Sequence, residues 1–270
     1  MNNRAITLTV IATVLALIYP FIAGADIEAL SGKEIVQRCY YKNSGEDQRS
    51  RLLVTSTLTN GKKVSSEYIR LWKNYGGKDG IVDKVVLYTA SAHNQGLAFM
   101  RWGYTNGSKR LADQWVYLPE MRIVKRISKR SPEEMDWGFS DDDLRVRDID
   151  EDDHRFIEVR TIEGKEFYVV ESLPKHDPVY GKRISWFSKA EDWEHCLEKR
   201  IDYFDKEMKM VKKQFVTWRQ VKGAWVWENA VVKNFRADST IVYDAKEIEV
   251  NVGLKDRVFS TRALARGYKR

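Results

Sequence analysis

Side chains able to make or break bonds are few and scattered in this sequence. The four histidines, His93, His154, His176 and His195, stand far apart, and no two have the spacing of a metal-binding pair. Each is expected at a solvated surface. There is no Gly-x-Ser-x-Gly elbow for a serine nucleophile. Asp141, Asp142 and Asp143 offer adjacent carboxylates, but not the spaced Asp-x-Asp-x-Asp-Gly pattern with a distal Glu that a calcium loop uses. No Gly-rich phosphate loop opens a helix. The residues point away from catalysis, and neither a cofactor nor a metal is expected.

What the sequence does offer is chemistry for binding. Asp113–Ile127, DQWVYLPEMRIVKRI, sets Trp115, Tyr117, Leu118, Met121 and Ile123 beside Arg122, Lys125 and Arg126. In a strand, alternate side chains take opposite faces, so Trp115 and Tyr117 share one face while Val116 and Leu118 share the other. The expectation is a concave interior lined by the apolar groups, with the guanidinium groups outside or at the rim. Residues 131–153 follow, rich in acids but with Trp137, Phe139 and Leu144 embedded. Charge blocks of this kind mark solvated loops. The embedded apolar residues suggest that Met135–Leu144 folds back as a cover over the interior, held by weak attraction to the basic run.

The first residues, MNNRAITLTVIATVLALIYPFIAGAD, combine Arg4, an apolar run, Pro20 and a small-residue triplet Ala23-Gly24-Ala25. This reads as a cleavable signal peptide over residues 1–25 with a single exported domain over 26–270, the alternative being an uncleaved membrane anchor, since the apolar run approaches spanning length. The net charge is +7. For an exported protein that favours anionic headgroups or acidic protein surfaces over nucleic acid. Export also permits a disulfide between Cys39 and Cys196, but spacing does not decide between a bridge and two separate buried thiols.

These groups need a scaffold, and its period is legible. Ser31-Gly32-Lys33-Glu34 is a capping box, followed by Ile35, Val36, Cys39 and Tyr40 on one helical face. A short amphipathic helix therefore opens the exported domain. After it, about a dozen alternating segments run from Leu52 to Val250, with turn signals at Asn60-Gly61, Glu163-Gly164 and Ala237-Asp238. Crossover helices are missing, which excludes a parallel sheet. The expected fold is mainly β: one large curved antiparallel sheet, an incomplete barrel, with loop segments over its concave face.

Several segments in this order resemble the outer-membrane lipoprotein-sorting protein family, relatives of the periplasmic lipoprotein carrier LolA. They are Trp115–Pro119 (WVYLP), the basic strand Arg122–Arg126, the loop Gly138–Leu144 (GFSDDDL), Tyr168–Pro174 (YVVESLP) and Val258–Leu264 (VFSTRAL). Ser131-Pro132-Glu133-Glu134 and Gly138 depart from the family's pattern around the loop. The resemblance implies an incomplete barrel over a hydrophobic cavity, and a periplasmic carrier or chaperone that binds lipid or acylated lipoprotein. Partners would be that cargo, a membrane surface and an inner-membrane transporter. On this reading Trp102, Trp115, Tyr117, Met121, Ile123, Trp137, Phe139 and Leu144 are the lipid-binding residues. The competing expectation is a periplasmic accessory of an RND-type exporter, which would bind protein and fill its interior with its own side chains.

Overall fold

The computed structural model describes residues 30–90, 96–108, 110–127, 145–176 and 179–268. Helix α1 (Gly32–Tyr40) is followed by thirteen strands: β1 (Asp47–Thr57), β2 (Lys63–Asn74), β3 (Ile81–Thr89), β4 (Ala98–Tyr104), β5 (Asp113–Leu118), β6 (Ile123–Ile127), β7 (Asp152–Ile162), β8 (Lys165–Pro174), β9 (Lys182–Ser188), β10 (Glu198–Phe204), β11 (Met210–Val221), β12 (Ala224–Asn234) and β13 (Ser239–Val250). A second helix, α2 (Thr261–Arg266), lies near the C-terminus. None of the helices described is long and apolar enough to cross a membrane.

All thirteen strands form one antiparallel sheet in the order β6-β5-β4-β3-β2-β1-β13-β12-β11-β10-β9-β8-β7. Each hairpin pairs neighbours in sequence. The exception is β1 with β13, whose register runs from Gln48↔Val250 to Thr57↔Thr240. That pairing puts β6 and β7 at the two edges. The sheet is curved and does not close, as the alternating pattern predicts. Tight turns sit where the sequence marks them: Glu163 and Gly164 both have positive φ, 50° and 74°, as a two-residue hairpin requires.

Each face of the sheet has its own core. On one face Leu52, Val54, Tyr68, Trp72, Val85, Leu87 and Phe99 meet Val216, Val226 and Val232 from the other half of the sheet. Strands far apart in the order can share a core only if the sheet curls, so this is the concave face. On the opposite face Leu71, Val86, Tyr88, Ala98 and Met100 are covered by Phe259 and Leu264 of the C-terminal segment. Burying both faces explains why β3 and β4 read as nearly continuous apolar runs rather than clean alternations.

Helix α1 lies on the concave side of β7 and β8. Its capping box forms as expected, Glu34 N donating to Ser31 Oγ and Ser31 N donating to the Glu34 carboxylate. Ile35, Val36 and Cys39 pack on Val170 and Phe187. The approach is close at Gly32, where an added Cβ would fall 2.6 Å from the Arg155 and Phe156 backbone. Cys39 and Cys196 are joined in a disulfide, which decides the question that spacing leaves open.

Candidate functional site

Between α1 and the two halves of the sheet the concave face encloses a cavity of about 400 Å³. Trp72 of β2 and Val216, Trp218, Val226 and Trp227 of β11 and β12 supply apolar walls. Tyr40 and Tyr41, at the end of α1, line one side. Burial pushes the pKa of both phenols above the ordinary value, so both stay neutral. This size falls within the roughly 300–1,000 Å³ usual for small-molecule pockets, which are mostly apolar with a few placed polar groups.

Residues 145–151, leading into the edge strand β7, form a strap across the cavity. Arg145, Val146, Arg147, Asp148 and Ile149 all line it. The strap is tied to α1: Tyr41 Oη donates to Arg147 O at 2.6 Å, and Arg147 N donates to Tyr40 Oη at 3.0 Å. It is tied to the other half of the sheet through Asn106, just after β4, whose backbone N–H donates to Asp148 Oδ2 at 3.0 Å. The Asn106 side-chain amide donates to Asp150 O at 2.8 Å. The gap between the sheet edges is thus bridged by hydrogen bonds to both sides.

Charge in this region departs from the expected solvated loop. Arg147 pairs with Asp152 at 2.9 Å, Arg145 Nη1 donates to Glu151 Oε1 at 3.0 Å, and Arg183 also pairs with Asp152. Asp152 and Arg183 are buried. Burial works against the Arg183 charge, yet the Asp152 carboxylate holds its pKa above the ordinary value. The buried Glu198 also faces the cavity; burial pushes its carboxyl up to about 7, against the pull of the Ser185 hydroxyl and of Arg183. His154 is half-buried rather than solvated. Its Nδ1 lies 2.8 Å from Ser172 Oγ and its Nε2 2.9 Å from Ile149 O, which anchors the strap.

A second polar cluster sits among the cavity's tryptophans. The Arg101 guanidinium donates to both Asp83 oxygens, at 2.8 and 2.9 Å, and Trp72 Nε1 donates to Asp83 Oδ2 at 2.9 Å. Room for this comes from Gly103, where a Cβ would fall 2.5 Å from Arg101 Nη1 and Asp83 Oδ1. Beside it Arg70 Nη1 donates to Gln48 Oε1 at 3.0 Å. Among the described residues no group of three or more His, Cys, Asp or Glu side chains is placed to hold a metal ion.

The residues singled out in the sequence lie elsewhere. Trp115 pairs with Met100, which pairs with Val86, which pairs with Leu71; Tyr117 runs through Ala98 and Tyr88 to Ile69. All of these belong to the convex core beneath the C-terminal segment, as does Trp102, whose ring lies 5.3 Å from that of Trp115. Met121 and Ile123 are exposed near the β6 edge. None of these five lines the cavity. The sequence reading had the alternation right and the faces reversed: Val116, not Trp115, points to the concave side, opposite Phe99 and then Leu87. Trp137, Phe139 and Leu144, with the proposed cover Met135–Leu144, lie outside the described residues, as does the segment 1–25.

Sequence reasoning missed the tryptophans of β2, β11 and β12, because a strand's pattern does not say which face curls inward. Helix α2 was also missed, although Ser260 as N-cap and Gly267 after the last turn mark its ends.

A single unclosed antiparallel sheet curled around a cavity is a LolA-like fold. A family model described only as an uncharacterized protein matches residues 80–266, more than half of the chain, and the chain belongs to that family. It is similar to the crystal structure of a DUF1329 family protein from Desulfovibrio piger, with 26% identity, coverage of 86% of this chain and 97% of that one, and a TM-score of 0.78. A domain from Vibrio parahaemolyticus, provisionally described as an outer membrane lipoprotein-sorting protein, shares 20% identity over 87% of this chain and 98% of its own, with a TM-score of 0.77. A LolA superfamily protein from Nitrosomonas europaea shares 13% over 86% and 98%, with a TM-score of 0.66. The last two likenesses establish the fold. No curated protein matches the chain in sequence.

Proposed function

We propose that this protein is a periplasmic carrier or chaperone that takes a lipid, or the acyl chain of a lipoprotein, into the cavity between α1 and the curved sheet. Residues 26–270 would form the carrier after removal of residues 1–25. The observation that carries the reading is the cavity itself: about 400 Å³, walled by tryptophan and aliphatic side chains and covered by the 145–151 strap. Each methylene buried there contributes roughly 0.8 kcal/mol, so a partly buried chain gives useful affinity. The function so read is binding and release, with no bond made or broken. A membrane surface, with its anionic headgroups, suits the net charge of +7.

Native mass spectrometry of the exported protein tests this. Protein taken gently from its own membranes should carry a mass increment that organic extraction removes, and the extracted protein should bind a fluorescent fatty acid saturably. Protein that carries nothing and binds no fatty acid would overturn the carrier reading and leave the exporter-accessory alternative.

A further inference from the structure

Arg70 is 5% exposed and lines the cavity, and its charge has no carboxylate within ion-pair distance among the described residues. Its hydrogen-bond partner there is the neutral Gln48. The nearby carboxylate, Asp83, is engaged by Arg101 and Trp72. Arg70 Nε has no partner. Directly across the β1–β2 register stands Ser50, 2% exposed, whose hydroxyl also has no partner. Two orphaned buried polar groups on opposed positions are costly, and a buried charge without a counter-charge more so.

What offsets part of that cost is aromatic. The Arg70 guanidinium carbon lies 5.9 Å from the Trp72 ring centre and 5.3 Å from that of Trp227. Burial pushes its pKa down to about 10, with Asp83 opposing and Arg101 adding to the fall. The group therefore remains a cation at neutral pH. Other charged groups line the same cavity: Arg145, Arg147 and Arg183 pair with Glu151 and Asp152, although Arg183 Nε has no hydrogen-bond partner, and the Asp148 carboxylate accepts the Asn106 and Asp150 backbone N–H groups. Glu198, with its raised pKa, is partly protonated near neutrality and repels an anion correspondingly less. Lys42 donates to the carbonyls of Arg38 and Trp193. An incoming oxyanion would find in Arg70 a desolvated donor and counter-charge, the setting in which charge-assisted hydrogen bonds are strongest.

We propose that the cavity selects an amphiphile with an anionic head, a carboxylate or phosphate, which Arg70 receives while the chain lies along Val216 and Val226. The inference rests on the carrier reading above and narrows its ligand class.

Calorimetric titration of the extracted full domain at pH 7 tests it, with dodecanoate, dodecyl phosphate, 1-dodecanol and inorganic phosphate as probes. The two anionic chains should bind at least about tenfold tighter than the alcohol, and the tighter of them identifies the head. Inorganic phosphate should not compete at equal concentration. In Arg70→Gln the preference for anion over alcohol should shrink to about twofold or less. Equal binding of anions and alcohol by the unaltered protein would overturn this inference and leave the carrier reading standing. A preference that survives Arg70→Gln would do the same, and competition by inorganic phosphate would show that no chain is needed. Failure of all three chains to bind would instead sink the carrier reading. The comparison within the unaltered protein decides the matter even if the variant does not fold.

Discussion

Cys39, near the end of α1, is bonded to Cys196, two residues before β10, across a sequence separation of 157 residues. The bond fixes the helix that forms one side of the cavity to the sheet that forms the rest.

Removing that bond tests how far the cavity depends on α1. The double variant Cys39→Ser, Cys196→Ser is expected to lose about 2–4 kcal/mol in urea unfolding, the usual range for a bridge closing a long loop. Hydrogen exchange in α1 should rise while exchange in β1 and β13 stays slow. A uniform rise throughout the sheet would contradict a role confined to docking the helix.

Trp115→Ala should act on stability rather than on ligand uptake, since Trp115 packs under the C-terminal segment on the face away from the cavity. A large aromatic removed from such a core costs on the order of 3 kcal/mol. Thermal melting should shift down and fatty-acid affinity at a temperature well below the transition should hold. Lost affinity without a shift in melting would restore the sequence-based placement.

Glu198 predicts an unusual pH dependence. Its folded pKa, about 7, stands above its ordinary 4.5. The folded state therefore holds the proton more tightly, and this group's contribution is fully present below the ordinary value and lost as pH rises through about 7. The loss amounts to up to about 3 kcal/mol. Comparing the unaltered protein with Glu198→Gln in urea at pH 5 and pH 8 isolates it: the variant should gain relative stability at pH 8. No change in the difference between the two pH values would remove Glu198 as the cause.

Asp148→Ala should loosen the strap. Asp148 caps the turn Ile149–Glu151 and accepts the Asn106 N–H from the far half of the sheet. Losing a cap costs about 1 kcal/mol. Bound fatty acid should leave several times faster in stopped flow, with exchange rising across residues 145–151. Unchanged release would mean that the strap does not gate the cavity.

How much of this was written in the sequence follows from what each signal measures. Alternation and turn residues are local, and they place the strands closely: the turn signals Glu163-Gly164 and Ala237-Asp238 fall between β7 and β8 and between β12 and β13. The capping box at Ser31–Glu34 likewise needs only adjacent residues. The pairing of β1 with β13 joins residues about two hundred positions apart, and no local pattern specifies it. Yet that pairing puts β6 and β7 at the edges and sends the strap across the mouth.

Sequence by itself determined the strands, the first helix and the class of sheet, because hydrophobic period and turn chemistry act over a few residues. Which face became the interior was decided by tertiary structure alone. Trp115 and Tyr117 were bound to share a face, but both faces of β5 are apolar enough to be buried. The C-terminal segment covers one, and the curl of the sheet encloses the other. The same curl brings Arg70 of β2 beside Trp227 of β12, a contact between strands separated in the sheet by β1 and β13. Sheet curvature arises from the sum of all strand twists, so the site it creates is absent from any single stretch of the chain.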